Sequence, residues 1–226
     1  MLFPDRTPCV ETVPITERPL YERYLAERRA YKEELCDEVA GHVAAGCVLE
    51  VASGWGYTGL DLLHRNPALS VVSICESVEV LRRATERACD EGLAARWHGI
   101  LGRNTAMPFE AESFDGVVST NSLHIWKRPV AVLREMHRVI RGAGTVYVND
   151  LRRDAEEPIA EYIVRSLHED QTPFGEFSLR TFVTSWRAAY TVVELESLLE
   201  AAGIGSFAVE PEGAVTLTAR FRRTSH

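Results

Sequence analysis

A glycine-rich turn, Gly54-Trp55-Gly56-Tyr57-Thr58-Gly59, restricts the fold of this 226-residue chain more than any other feature. It follows Cys47–Val51, a short apolar segment with the length of a buried strand, and it leads into a helical pattern from about Tyr57 to His64. Glycines in such a turn let backbone N–H groups and the start of the helix approach a bound ligand closely. The turn therefore predicts a βαβ unit with a ligand site at its first loop.

Short apolar segments continue to alternate with helical patterns after this turn, which is typical of a mainly parallel sheet. Further strands are predicted at Ser70–Cys75, Trp97–Leu101, Phe114–Thr120, Thr145–Asn149, Phe207–Val209 and Val215–Phe221. The last two are joined by a tight turn, so they must be antiparallel to each other. The predicted fold class is α/β: a single Rossmann-like, seven-stranded, mostly parallel sheet with helices on both faces, ending in an antiparallel hairpin with one reversed strand at the edge.

The composition excludes several classes of partner and site. The net charge of −8 argues against a nucleic-acid substrate, because phosphate backbones attract basic surfaces. No apolar run reaches the roughly 18–20 residues that span a bilayer, and the N-terminus shows no secretory signal. The five cysteines share no C-x-x-C spacing, which favours reduced thiols in a cytoplasmic protein and no metal site. The expected partner is a small-molecule substrate, without nucleic acid or membrane, and the oligomeric state stays open.

Several segments together resemble the class I, Rossmann-like S-adenosylmethionine-dependent methyltransferases. Val48-Leu49-Glu50-Val51-Ala52-Ser53-Gly54-Trp55-Gly56 is similar to the first motif of that family, an acid near a strand end followed by G-x-G. Phe114–Ser119 and Leu133–Gly144 look like its fourth strand and the following helix and strand, and Ala106–Phe109 matches the stretch before them. The resemblance implies S-adenosylmethionine as cofactor and methyl transfer to a small-molecule acceptor, such as a specialised metabolite.

The whole chain, residues 1–226, is expected to form one methyltransferase domain. Residues 1–45 form an N-terminal arm and helices, 46–150 the cofactor-binding core, and 191–226 a C-terminal helix and hairpin. Residues 151–190 break the strand–helix alternation and carry an amphipathic helical pattern and an aromatic-rich stretch. Since structureless loops of that length are uncommon in compact domains, this segment is predicted to be a helical insertion that covers the substrate.

The resemblance also implies which residues contact the cofactor. They lie in the N-terminal helices, in the glycine-rich loop and at strand ends: Tyr24, Glu50, Ala52, Ser53, Gly54, Gly56, Glu76, Arg103, Asn104, Thr105 and Asn121. A carboxylate on a strand buried on both faces is costly unless it is paired, which favours a functional role for Glu50 over a structural one.

Three positions depart from the family pattern. Ala52 replaces a loop glycine, and Cys75 occupies the strand end where the family has an acid for the ribose hydroxyls. Glu76, one residue later, can take that role only if the strand ends early or bulges, because successive strand side chains point to opposite faces. At the position of an acid near the adenine amino group the chain has Arg103 and Asn104, of which only the amide can accept a hydrogen bond.

Candidates for catalysis and substrate binding follow the fourth strand and lie in the insertion. His124 is a candidate general base, with a pocket-wall or core histidine as the alternative. Trp126, Trp186 and Arg187 are candidate substrate contacts. Arg187 is included because its guanidinium matches carboxylate and phosphate groups. Two other functions remain open: a cofactor-binding member or scaffold that does not methylate, and an NAD(P)-dependent oxidoreductase with Glu76 as its ribose acid.

Overall fold

Seven strands form one sheet in the order β3-β2-β1-β4-β5-β7-β6 in the computed structural model, which describes residues 6–7, 15–52 and 54–223. The strands are β1 Gly46–Val51, β2 Leu69–Cys75, β3 Trp97–Leu101, β4 Phe114–Thr120, β5 Ile140–Leu151, β6 Phe207–Glu212 and β7 Thr216–Arg222. The first five run parallel to one another. The predicted fold class is therefore confirmed, and the ranges of β3 and β4 match their predictions.

Helices cover both faces of this sheet. They are α1 Arg18–Glu27, α2 Glu33–His42, α3 Tyr57–Arg65, α4 Val78–Asp90, α5 Pro129–Val139, α6 Glu157–Glu169, α7 Pro173–Ala188 and α8 Val192–Ala201. Buried side chains of α2, α3 and α4 pack with Val48 and Val118 on one face, and those of α5 and α8 pack with Leu49 and Val117 on the other. Because neighbouring strand residues face opposite sides, both Val48 and Leu49 are fully buried.

The reversed strand is β7, and its predicted place at the sheet edge was wrong. β7 pairs with β5 on one side and with β6 on the other, both antiparallel. Its alternating Leu217, Ala219 and Phe221 all belong to the core, whereas β6 alternates between partly buried and exposed positions. The more apolar strand of the hairpin therefore takes the inner position, and β6 forms the edge.

β5 begins earlier than its glycines suggest. The pattern predicts a helix through Ile140 and a strand from Thr145, but α5 ends at Val139 and β5 starts at Ile140. A side chain at Gly144 would lie 2.6 Å from the backbone oxygen of Asp115, so this glycine allows close approach to β4 rather than ending an element. The register between β4 and β5 shifts at this point.

Residues 151–190 contain α6 and α7, as expected of a helical insertion. Phe174 and Phe177 of α7 pack with Tyr24 of α1, and Phe182 and Trp186 form a separate cluster with α6. α8 begins with the reciprocal hydrogen bonds of a capping box between Thr191 and Glu194. Among the helices of the described ranges, none has both the length and the apolar character needed to cross a membrane.

Candidate active site

A cavity of about 630 Å³ opens at the carboxyl edge of the parallel strands, where open α/β sheets bind their ligands. It lies between α1, the glycine-rich loop, the ends of β2 and β3, and the turn before α5. Its lining residues are Arg18, Tyr21, Ala52, Gly54, Trp55, Cys75, Glu76, Ser77, Glu79, Val80, Arg103, Asn104, Thr105, Ile125, Trp126, Lys127, Arg128 and Val132. Seven of the fifteen predicted site residues are among them: Ala52, Gly54, Glu76, Arg103, Asn104, Thr105 and Trp126.

The glycine-rich loop has a left-handed backbone at most of its described positions. Ala52 and Trp55 have φ values of 57° and 73°, and Gly54 and Gly56 have 27° and 77°. Ala52 therefore adopts a conformation that favours glycine, at a cost in backbone strain. Ser53, a predicted cofactor contact, lies outside the described residues.

The loop glycines have different roles. A side chain at Gly54 would meet nothing within 4 Å, so the cavity begins directly at its backbone. A side chain at Gly56 would lie 2.9 Å from the Cβ of Ala84 on α4, and Gly56 does not line the cavity. Gly56 thus allows close packing against α4 in a left-handed turn, whereas the Gly54 backbone borders the cavity, and its contact with a cofactor stays a prediction.

Glu50 lies beneath the loop rather than in the cavity wall. One carboxylate oxygen accepts a hydrogen bond from the Gly59 N–H at 3.0 Å, and the other accepts one from the Ser73 hydroxyl. Burial raises the pKa of Glu50 to about 7, although these two hydrogen bonds act in the opposite direction. The carboxyl group therefore joins β1 and β2 to the first turn of α3 and supports the loop from below.

A second buried polar group joins this region to the N-terminal helices. The Lys32 ammonium donates a hydrogen bond to the Thr120 hydroxyl at 2.9 Å, and the hydroxyls of Thr120 and Thr58 lie 2.8 Å apart. Burial lowers the pKa of Lys32, and the nearby Glu50 carboxylate partly opposes that effect. These contacts connect the segment before α2 to the end of β4 and the start of α3.

β2 ends at Cys75, so Glu76 is the first residue beyond the strand. The condition that the sequence sets for Glu76 is therefore met, and both side chains line the cavity. Glu76 Oε1 accepts a hydrogen bond from the Asn104 N–H at 3.1 Å, which holds the carboxylate next to the loop after β3. Burial raises the pKa of the Cys75 thiol, whose sulfur accepts a weak hydrogen bond from the Ser77 N–H.

The side-chain oxygen of Asn104 is a hydrogen-bond acceptor that no described donor reaches. Its side chain is buried, and Oδ1 has no hydrogen-bond partner within the described part of the chain. Buried polar atoms are nearly always hydrogen-bonded, so an orphaned oxygen at a cavity indicates a ligand donor. Arg103 and Thr105 line the cavity on either side of it.

Tyr21, rather than the predicted Tyr24, reaches the cavity from α1. Tyr24 is buried, stacks on Tyr21 with ring centres 6.4 Å apart, and meets Phe177 edge-on. Tyr21 in turn packs edge-on against Trp55 of the loop. The helical period predicts that one face of α1 is apolar, but which tyrosine faces the cavity depends on how α7 packs against α1.

His124 lies behind the cavity wall rather than in it. Its Nδ1 is 2.8 Å from Asp150 Oδ1, and its backbone N–H donates to the other carboxylate oxygen at 2.9 Å. Both residues are buried, whereas Ile125 and Trp126, which follow His124, line the cavity. This arrangement supports the alternative interpretation, in which the histidine positions the turn after β4, while its catalytic role stays a prediction.

The remaining predicted site residues lie away from the cavity. Trp186 is buried, and its indole N–H donates to the Arg152 carbonyl at 2.8 Å. Arg187, the next residue on α7, is exposed, since successive helical residues point in directions about 100° apart. Asn121 has a φ of 50° and donates its backbone N–H to Asn149 of β5. The described ranges contain no cluster of three or more side chains suited to a metal ion.

Comparison with known proteins relates this architecture to a family. Residues 49–148 match the family model described as a methyltransferase domain. The ubiquinone/menaquinone biosynthesis C-methyltransferase UbiE of Dinoroseobacter shibae is 31% identical over 120 residues, which are 53% of this chain and 48% of the relative. The demethylmenaquinone methyltransferase of Renibacterium salmoninarum is 29% identical over 147 residues, 63% of this chain and 58% of that one.

Solved structures show the same fold over almost the whole chain. A protein from Methanococcus maripaludis, proposed to be an S-adenosyl-L-methionine-dependent methyltransferase, matches with a TM-score of 0.71 and 15% identity, over 97% of this chain and 99% of its own. The plantazolicin methyltransferase BpumL, in complex with SAH, matches with a TM-score of 0.69 and 13% identity, over 93% and 91%. Residues 49–148 therefore resemble a methyltransferase domain, and the chain shares the fold of these two structures.

The chain spans about half the length of these curated relatives. The matched region, residues 49–148, runs from β1 to β5 and holds the glycine-rich loop and most of the cavity wall. α1, α6 and α7 lie outside it. The family match therefore covers only the core of the domain, and the elements that surround the core must be interpreted from this structure.

Several cavity residues are not marked by the motifs that the sequence shows. Arg18 and Tyr21 precede the recognisable motifs, so no pattern marks them. Lys127 and Arg128 follow Trp126 directly, and two consecutive cations just before a helix start were a signal that could have been used. Cys75, which the sequence marks only as a departure from the family pattern, also lines the cavity.

Proposed function

We propose that this protein transfers a methyl group from S-adenosylmethionine to a small-molecule acceptor in the cytoplasm. The observation that carries the proposal is the pairing of two oxygen acceptors, the Glu76 carboxylate and the orphaned Asn104 Oδ1, in one cavity beside the glycine-rich loop. An adenosine carries two ribose hydroxyls and an adenine amino group as donors, which match these acceptors. The cysteines of the described ranges, Cys36, Cys47, Cys75 and Cys89, are all unpaired thiols, in keeping with a reducing compartment.

The cavity residues fit this cofactor despite the three departures from the family pattern. Ala52 keeps the left-handed backbone that a glycine would adopt. Glu76 lies beyond the strand end and faces the cavity, so it can replace an acid at position 75. Asn104 supplies the acceptor that Arg103 lacks. Gly54 lets the cofactor approach the backbone, and Glu50 supports the loop beneath it.

The cofactor supplies a methyl carbon that its sulfonium charge already activates. The protein then has to hold a nucleophile in line with that carbon, and positioning of this kind can supply about 7–11 kcal/mol of a reaction barrier. A general base adds about 10²–10⁴-fold where the nucleophile must lose a proton. No titratable base is required for the larger contribution, so a positioning role for His124 is compatible with methyl transfer.

Calorimetry with S-adenosylmethionine, S-adenosylhomocysteine and NAD tests the proposed cofactor. We expect both sulfur nucleosides to bind and NAD not to bind. A hydrogen bond to a charged acceptor contributes about 1.5–3 kcal/mol, so Glu76→Ala should weaken binding by roughly tenfold or more. The affinity of Glu76→Gln should lie between those of the wild-type protein and Glu76→Ala. Cys75→Ala, the matched control at the neighbouring position, should change affinity less than about threefold.

The opposite ranking would contradict this assignment. If Cys75→Ala were damaging and Glu76→Ala silent, another group would hold the ribose. Transfer of label from methyl-labelled S-adenosylmethionine to small-molecule extracts then separates catalysis from binding. Cofactor binding without any labelled product would favour the non-methylating alternative that the atypical Ala52, Cys75 and Arg103 left open.

A further inference from the structure

Almost every arginine and lysine of the described ranges has a partner, and most of the exceptions line the cavity. The described cationic side chains that make no hydrogen bond, ion pair or ring contact are Arg103, Lys127, Arg128 and Arg165. The first three line the cavity, whereas Arg165 lies on α6 and does not. By contrast, Arg138 forms two hydrogen bonds with Glu135 and two with backbone carbonyls.

The acidic residues of the cavity do not neutralise these three cations. Glu79 forms ion pairs with Arg18 at 3.4 Å and with Arg82 at 2.9 Å. Glu76 accepts its hydrogen bond from the Asn104 backbone. The mouth of the cavity thus carries an excess of positive charge on a protein whose net charge is −8. Such a local patch attracts anions against the overall field of the molecule.

A buried donor lies next to two of these cations. The side chain of Trp126 is 7% exposed, and its indole N–H has no hydrogen-bond partner within the described part of the chain. Trp126 lines the same cavity and directly precedes Lys127 and Arg128. An indole N–H can only donate, so its missing partner must be an acceptor.

The start of α5 favours the same kind of ligand. This eleven-residue helix begins at Pro129, and its N-cap residue, Arg128, makes no side-chain capping bond. A helix N-terminus carries partial positive charge and favours an anion. Val132, at the first turn of α5, lines the cavity, so the helix start faces the same space.

We propose that Arg103, Lys127, Arg128 and the Trp126 N–H bind an anionic group of the methyl acceptor, a carboxylate or a phosphate. The inference rests on the proposed function, because it names the class of acceptor for the same site. Arg103 adjoins Asn104, which the proposed function assigns to the adenine. The cofactor's own carboxylate belongs to its methionine end, so the anion at this mouth comes from the second molecule.

Matched anionic and neutral probes test the inference directly. The carboxylate pair is 1-hydroxy-2-naphthoate and 1-hydroxy-2-naphthamide, and the phosphate pair is 1-naphthyl phosphate and 1-naphthol. Binding is measured by probe fluorescence, with and without saturating S-adenosylhomocysteine. We expect at least one anion to bind roughly tenfold more tightly than its neutral partner. That preference should shrink between about 20 mM and about 300 mM salt, since salt screens exposed charges.

Charge-removing variants locate the preference. Replacing all three cations by glutamine (R103Q, K127Q and R128Q together) should bring the anion and its neutral partner to within about twofold, and each single variant should lower the ratio in part. Trp126→Phe should weaken binding of the anionic probe by roughly threefold or more and leave binding of the neutral probe unchanged. Arg165→Gln is the matched control, because it removes an unpartnered cation away from the cavity, and it should change nothing.

Two results would overturn the inference: equal binding of both members of each pair to the wild-type protein, or a preference that survives the triple replacement. The affinity for S-adenosylhomocysteine, measured on the same samples, separates this failure from that of the proposed function. Normal cofactor affinity without anion preference contradicts the inference alone. Absent cofactor affinity contradicts the proposed function, while the probe pairs still test the cationic mouth in the ligand-free protein.

Discussion

Three non-glycine residues in the loops after β1 and β4 have a backbone that non-glycine residues rarely adopt. Ala52 and Trp55 belong to the glycine-rich loop, and Asn121 follows β4. Asparagine tolerates the left-handed region, but alanine and tryptophan adopt it at a cost of about 1–2 kcal/mol each. Such strain persists only where surrounding contacts determine it, and here these are the Ala52 N–H bond to Ile74 and the packing of Trp55 on Tyr21.

Ala52→Gly should therefore stabilise the protein. The substitution removes the strain of a φ of 57° and loses about 0.5–1 kcal/mol to the greater freedom of glycine in the unfolded chain. We expect a net gain of roughly 0.5–1 kcal/mol in the free energy of unfolding, measured by urea denaturation, with unchanged affinity for S-adenosylhomocysteine.

Ala94→Gly is the matched control for this prediction. Ala94 lies in an exposed turn after α4 and is not among the residues with positive φ. The same change there should destabilise by about 0.5–1 kcal/mol, because only the entropic cost remains. A loss of stability of that size in Ala52→Gly would show that the loop is not strained.

At the scale of elements, α7 determines how α1 faces the cavity. Phe177 of α7 meets both Tyr21 and Tyr24 edge-on, with ring centres 6.3 Å and 6.1 Å apart. Tyr21 lines the cavity, whereas no described residue of 151–190 does. The insertion was predicted to cover the substrate. In this cavity it acts instead through α1, and a direct covering role stays a prediction.

Phe177→Ala should weaken both the fold and the cofactor site. Loss of a buried phenylalanine costs about 3–5 kcal/mol of stability. Since Tyr21 loses an aromatic contact worth about 0.5–1.5 kcal/mol, the affinity for S-adenosylhomocysteine should fall by roughly twofold to tenfold. Calorimetry at a temperature where the variant stays folded, checked by circular dichroism, measures the second effect.

Phe182→Ala separates the two effects. Phe182 is on the same helix and is equally buried, but it packs with Trp186 and α6 and has no ring contact with Tyr21. The Phe182→Ala variant should lose a similar amount of stability, about 3–5 kcal/mol, without a change in cofactor affinity. Equal affinities of the two variants would mean that α7 does not position α1 for binding.

Across the whole molecule, stability should be highest at the centre of the sheet and lowest in the insertion. β1 and β4 are central strands whose Val48, Val117 and Val118 are fully buried between two helical layers. α6 packs mainly on α7, and Ala160 is its one fully buried side chain among the described residues. Segments with few buried contacts open locally at much less than the global free energy.

Native-state hydrogen exchange should show this gradient. Amides of Val48 and Val117 should exchange only through global unfolding, with the free energy and denaturant slope of the whole domain. Amides of α6 should exchange through local opening, at least about 2 kcal/mol below that value and without denaturant dependence. Equal free energies in α6 and β1 would instead show that the insertion unfolds together with the core.

The sequence by itself determined the elements whose signals are local. Apolar segments located β3 and β4, and the glycine pattern located the loop that borders the cavity. The side chains of Ser77 and Thr191 each accept a hydrogen bond from the backbone N–H three residues later, so these helix starts also depend on local contacts. Each of these signals depends on a residue's near neighbours along the chain. Periodicity reports that a segment has a buried face, and capping bonds close within four residues.

The tertiary structure alone decided which neighbour each buried face meets. It placed β7 inside the sheet, started β5 at Ile140, turned Tyr21 rather than Tyr24 toward the cavity, and set His124 behind the wall against Asp150. Each of these outcomes depends on contacts between residues far apart in the chain. A pattern along one segment cannot specify them, because the free energy that selects among alternative partners comes from packing the whole core at once.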